Sequence, residues 1–120
     1  MATFSKITLS GSTDGRMVKV AATATAGTTL HTGSATATTF DEIWLYAVNS
    51  SASSVKLTIE WGGVSSPDDL IELSVPAESG LYLIAPGLII KGNATPLVVR
   101  AFAATTNVIN IVGYVNRITA

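Results

Sequence analysis

One histidine, two adjacent carboxylate pairs and many hydroxyls are the candidates for chemistry in this 120-residue chain. Acid–base catalysis needs such groups brought together with suitable partners. His31 lies in an Ala/Thr/Gly-rich segment and reads as an exposed loop residue, since a lone histidine has no evident partner. Asp41-Glu42 and Asp68-Asp69 are sequence neighbours, and neighbours on a strand point to opposite faces. That is the wrong arrangement for a shared proton or metal. Both pairs read as solvated strand ends that discourage edge pairing. No Asp-rich spacing around Asp68-Asp69 resembles a calcium loop. The hydroxyls sit in no nucleophile-elbow pattern. Gly11-Ser12-Thr13-Asp14-Gly15-Arg16 lacks the Lys-Ser/Thr of a phosphate loop and reads as a turn. Trp61-Gly62-Gly63 could be a sugar platform, but an aromatic before glycine is read first as a core residue at a strand end. The expectation is a chain with no catalytic residue, no cofactor and no metal site: not an enzyme.

The elements that would carry these groups are strands. Val, Ile and Thr fill the periodic segments, and Gly, Ser, Asn, Asp and Pro punctuate them. No window has a capped helical period. Strands are expected at 4–10, 17–22, 42–49, 55–61, 69–75, 81–84, 88–90, 97–103 and 108–117. A further short strand near 28–32 lies within a long loop, residues 23–39. The strands at 42–49 and 55–61 read as a hairpin. Residues 1–6 read as a possible N-terminal arm. The turn spacing is that of a single antiparallel β-sandwich spanning residues 1–120.

Composition narrows the partners. Charged residues are 12% of the chain, against about 25% in a usual soluble domain. Lys6, Arg16, Lys19, Lys56, Lys91, Arg100 and Arg117 are scattered, so neither a basic stripe nor nucleic-acid binding is expected. No apolar run is long enough to span a membrane, and no membrane partner is expected. With no cysteine, disulfides and thiolate sites are excluded. Asn49-Ser50-Ser51 and Asn93-Ala94-Thr95 match the glycosylation pattern but read as loop chemistry.

Several strands are apolar on both faces. In Asp41–Asn49, Ile43, Leu45 and Ala47 point one way, and Trp44, Tyr46 and Val48 the other. Tyr82/Ile84 back Leu81/Leu83, and Val98/Phe102 back Leu97/Val99. A lone sandwich has one inner layer and mostly polar outer faces. The second rows therefore imply burial against another copy or another protein, or cover by a long loop. Trp44, Tyr46, Tyr82 and Phe102 are the candidate interface residues. Arg100 and Arg117 join them, as charges on otherwise apolar rows.

The segments Asp41–Ser51, Leu57–Gly63, Val99–Phe102 and Gly113–Ile118 resemble small structural proteins of tailed bacteriophages, including capsid cement, or decoration, proteins. The resemblance implies a β-sandwich of jelly-roll type that forms a homotrimer. It also implies a site on the outer surface of the virion, between subunits of the major capsid protein, after synthesis in the bacterial cytoplasm. The alternatives are another virion component (head fibre, tail or receptor-binding part) and a carbohydrate-binding module using Trp61, Tyr82 or Tyr114.

Overall fold

The computed structural model describes residues 2–119 as a sandwich of two antiparallel sheets. The strands are β1 (Thr3–Thr8), β2 (Val18–Lys19), β3 (Thr28–Thr32), β4 (Thr39–Asn49), β5 (Val55–Trp61), β6 (Leu70–Val75), β7 (Tyr82–Lys91), β8 (Val98–Ala103) and β9 (Ile109–Thr119). The front sheet has the order β1-β9-β4-β7, with β2 also on β9. The back sheet has the order β3-β8-β5-β6.

Alternation places the core. In β4, Ile43, Leu45 and Ala47 are fully buried, while Trp44, Tyr46 and Val48 on the other face are only half-covered. In β5, Val55, Leu57 and Ile59 turn inward as the sequence pattern requires, and Trp61 packs at the core margin. Val99, Ala101 and Ala103 of β8 and Ile109, Ile111 and Val115 of β9 complete the layer between the sheets. Burying side chains of this kind stabilises by about 1.5–3 kcal/mol each, before conformational entropy is charged against it.

Three expectations need correction. The segments 42–49 and 55–61 are not a hairpin: β4 pairs with β7 and β9, and β5 with β6 and β8. The Asn49 amide caps the crossing between sheets by donating to Ser53 O and Val75 O, at 2.9 and 3.0 Å. Asn49 is itself buried, which removes it as a glycosylation acceptor. Residues 3–6 are not an arm, because they pair with β9 from Thr3↔Thr119 to Lys6↔Asn116; Met1 lies outside the described residues. Finally, the segments at 81–84 and 88–90 are one strand that runs through Pro86-Gly87.

That continuity depends on two irregularities. The β4–β7 register shifts between Ile43 and Trp44 and again between Leu45 and Tyr46. Gly87 and Ile84 are the extra residues. Gly87 has φ +78°, a region costly for other residues, and a Cβ there would meet the Trp44 indole at 3.1 Å. Each extra residue reverses which side chains of β7 face the core.

Candidate interaction surface

The outer face of the front sheet follows from the registers. Phe4, Lys6 and Thr8 of β1 lie beside Ile118, Asn116 and Tyr114 of β9. These lie beside Phe40, Glu42 and Trp44 of β4, and the row Lys91, Ile89, Pro86 and Leu83 of β7 completes the face. Phe4 is 73% exposed, Ile89 57% and Leu83 48%, so large apolar side chains stand in solvent across the sheet. A monomer's outer face would normally be polar here.

A fixed aromatic row crosses the middle of this face. The Trp44 indole lies against Gly87 on one side and stacks on Tyr114 on the other, with centroids 6.0 Å apart and planes 12° from parallel. Lys6 Nζ sits 5.0 Å from the Tyr114 ring centre. Trp44 Nε1 donates to Glu42 Oε1 at 2.7 Å, and Asn116 Nδ2 donates to the same oxygen at 3.1 Å. These two bonds hold the Glu42 carboxyl below its ordinary range, because they favour the ionised form. A hollow of about 410 Å³ beside this group is lined by Phe4, Lys6, Glu42, Asn116 and Ile118. The arrangement supplies large, pre-positioned aromatic area with few charges to desolvate, which suits a contact surface.

The outer face of the back sheet differs. Thr58 and Glu60 occupy the outward row of β5, yet both are buried. The chain between β2 and β3 holds Glu60 in place. Gly27 N donates to Glu60 Oε1 at 2.6 Å, and Thr25 Oγ1 donates to Oε2 at 2.5 Å. Gly27 lies so close to the β8 backbone at Ala101 that a Cβ would not fit. This strap, residues 23–27, is the loop cover expected as the alternative to association. A groove of about 250 Å³ remains beside it, lined by Thr25, Glu60, Leu70 and Phe102 among others.

The six candidate interface residues therefore separate. Trp44 and Tyr46 are on the open front face. Arg100 and Phe102 are half-buried on the back face near the strap. Tyr82 stands opposite Ala47 and packs against the core, because the bulges in β7 turn it inward. Arg117 also belongs to the inner row, where it meets a buried carboxylate. Arg117 Nε and Nη2 donate to Asp41 Oδ1 and Oδ2 at 2.7 and 2.8 Å.

That carboxylate corrects two further readings. Asp41 is 1% exposed, so it is no solvated strand end, and His31 is 1% exposed, so it is no surface loop residue. His31 Nε2 lies 2.7 Å from Asp41 Oδ2, and Ser10 N donates to His31 Nδ1 at 3.1 Å. Burial alone would raise the Asp41 pKa. The Arg117 and His31 hydrogen bonds outweigh it and leave the carboxyl below its ordinary range. Asp41 in turn pushes the Arg117 guanidinium up. The histidine and the carboxylate are closed to solvent, and Arg117 is the partly exposed member of the cluster.

The interface candidates read from the sequence did not include Phe4, Phe40, Leu83 and Ile89, and Tyr114 was named only for the carbohydrate alternative. Tyr114 was accessible in principle, since its row in β9 alternates with Val115 and Ile111. Leu83 and Ile89 were not, because the bulges break the alternation. Among the described residues, no group of three His, Asp or Glu side chains is placed to hold a metal. No protein-family model, curated protein or solved structure matches the chain.

Proposed function

We propose that this chain is a structural virion protein: a capsid cement, or decoration, protein of a tailed bacteriophage. In this reading it assembles as a homotrimer on the outer capsid surface and binds between major capsid protein subunits. The observation that carries it is the open front face, where Phe4, Leu83 and Ile89 stand exposed around the fixed Trp44–Tyr114 pair. Such a face gains about 25 cal/mol for each Å² of apolar surface it buries on association. Repetition over a shell multiplies modest contacts into high avidity.

The ladder pattern supports a jelly-roll reading of the sandwich. β1 with β9, β3 with β8, β4 with β7 and β5 with β6 are the pairs of one long antiparallel ribbon rolled into two sheets. The carbohydrate-module alternative is weakened, since Trp61 and Tyr82 pack against the core and leave Tyr114 alone of its three aromatics on the open face.

Purified particles test the proposal. The expected result is a copy number that scales with the major capsid protein, and fragile capsids when the gene is deleted. A few copies per particle, or none, overturns the cement reading and favours a fibre or tail role. Sedimentation of the isolated chain at micromolar concentration tests the trimer separately.

A further inference from the structure

We infer that His31, Asp41 and Arg117 form an acid-sensitive latch that fastens the two sheets together at one end of the sandwich. The inference is independent of the proposed function.

The geometry sets the charge state that the cluster accepts. His31 is on β3, in the back sheet; Asp41 and Arg117 are on β4 and β9, in the front sheet. Nδ1 of His31 receives the Ser10 N–H, so that nitrogen must be unprotonated for the bond to exist. Nε2 then carries the ring's single proton and donates to Asp41 Oδ2. This is the neutral imidazole in one defined tautomer. Asp41 is already matched by Arg117, which holds both of its oxygens. One carboxylate and one guanidinium sum to zero.

A second proton on the ring disturbs this in two ways. It sets an N–H at Nδ1 directly against the Ser10 N–H, two donors facing each other. It also adds a positive charge to a buried group whose only negative charge is already paired with Arg117. Among the described residues, nothing adjacent compensates. Val99 stands beside His31 on β8, and Ile90 beside Asp41 on β7, both apolar. On β1, Ser5 stands beside Arg117. Among the described residues, the only ion pairs touching the cluster are those within it.

Protonation therefore releases Ser10 first. Thr32 N, which donates to Ser10 Oγ at 2.6 Å, loses its anchor with it. The β1–β2 connection and β3 loosen from each other, while the Asp41–Arg117 pair inside the front sheet persists. The device is local: one end of the sandwich opens, and the fold as a whole survives.

Nuclear magnetic resonance on the intact chain tests this. Near neutral pH, the ring nitrogens of His31 should report the Nε2–H tautomer. Amide exchange is then followed as the pH is lowered from neutrality. Exchange at Ser10, Gly11 and Thr32, whose amides donate to His31 Nδ1, Leu30 O and Ser10 Oγ, should accelerate at least tenfold as the ring takes its second proton, after correction for the intrinsic pH dependence. Leu57 and Ile111 should not change. The control is His31→Gln, whose amide offers one acceptor and one donor but does not titrate. It should fold and lose the pH response. An Nδ1–H tautomer or a doubly protonated ring at neutral pH overturns the latch. So does an unchanged pH response in H31Q. If H31Q fails to fold, the tautomer and the site-specific exchange of the unmodified chain still decide.

Discussion

The two outer faces of this sandwich are built from similar strands and finished differently. On the back sheet the outward row of β5 is buried by the chain's own strap, held through Thr25 and Gly27 on Glu60. On the front sheet the outward rows of β4, β9 and β7 have no such cover, and the aromatic side chains are fixed in place instead. The back face spends a buried carboxylate on closing itself. The front face spends its polar groups, Glu42 and Asn116, on orienting Trp44. A polar residue that closes a surface within one subunit differs physically from one that shapes a surface for something else.

Substitutions can break this contrast. The largest effect belongs to the layer between the faces. Leu45→Asp places a charge at a fully buried position and should leave no folded protein by circular dichroism. Glu60→Ala comes next. It leaves the Thr25 hydroxyl and the Gly27 amide without their acceptor and should cost about 2–4 kcal/mol in urea denaturation. If E60A costs less than about 0.5 kcal/mol, the strap is not held by that carboxylate and the two faces are less different than described.

Acid sharpens the comparison from inside. Asp41 and Glu42 are adjacent, one in the core cluster and one on the open face, and both carboxyls are lowered. A lowered carboxyl contributes stability that is fully present above its unfolded value, about pH 4, and is lost as pH falls through the lower folded value. Stability attributable to these two groups should therefore be flat from about pH 7 to about pH 5 and decline below about pH 4. Asp41→Asn should remove more of that acid limb than Glu42→Gln, measured by denaturation across the range.

The smallest effect on folding is expected on the open face. Tyr46→Asp should change monomer stability by about 1 kcal/mol or less, yet abolish the self-association proposed for this face, read by sedimentation. Phe4→Ser should behave alike with a smaller loss. If Tyr46→Asp unfolds the chain as Leu45→Asp does, both rows of β4 lie inside one subunit.

The sequence disclosed the fold where alternation was regular. The inward row of β5, Val55, Leu57 and Ile59, was legible, and Ile43, Leu45 and Ala47 took the core side of β4. The misreadings share a cause: contacts between residues distant in the chain. Nothing near His31 announces that Asp41, ten residues on, lies in the opposite sheet, or that Arg117 reaches the same carboxylate. Alternation alone does not show that Glu60 is buried, because the strap residues that hold it, Thr25 and Gly27, lie 35 and 33 residues earlier. Tyr82 was placed on the wrong side because two single-residue insertions in β7 are invisible to a period of two.

Those insertions also bear on strand-by-strand pairing between copies of so sparsely charged a chain. β7 forms one margin of the front sheet, where backbone groups are free to recruit a strand from a neighbour. Pro86 has no N–H to offer, and the distortions at Ile84 and Gly87 interrupt the regular spacing a recruit would need. Open-ended strand-by-strand polymerisation, the route to fibrils, is obstructed along this margin. In the proposed assembly, association would instead use flat apolar contact, which ends once the surface is covered.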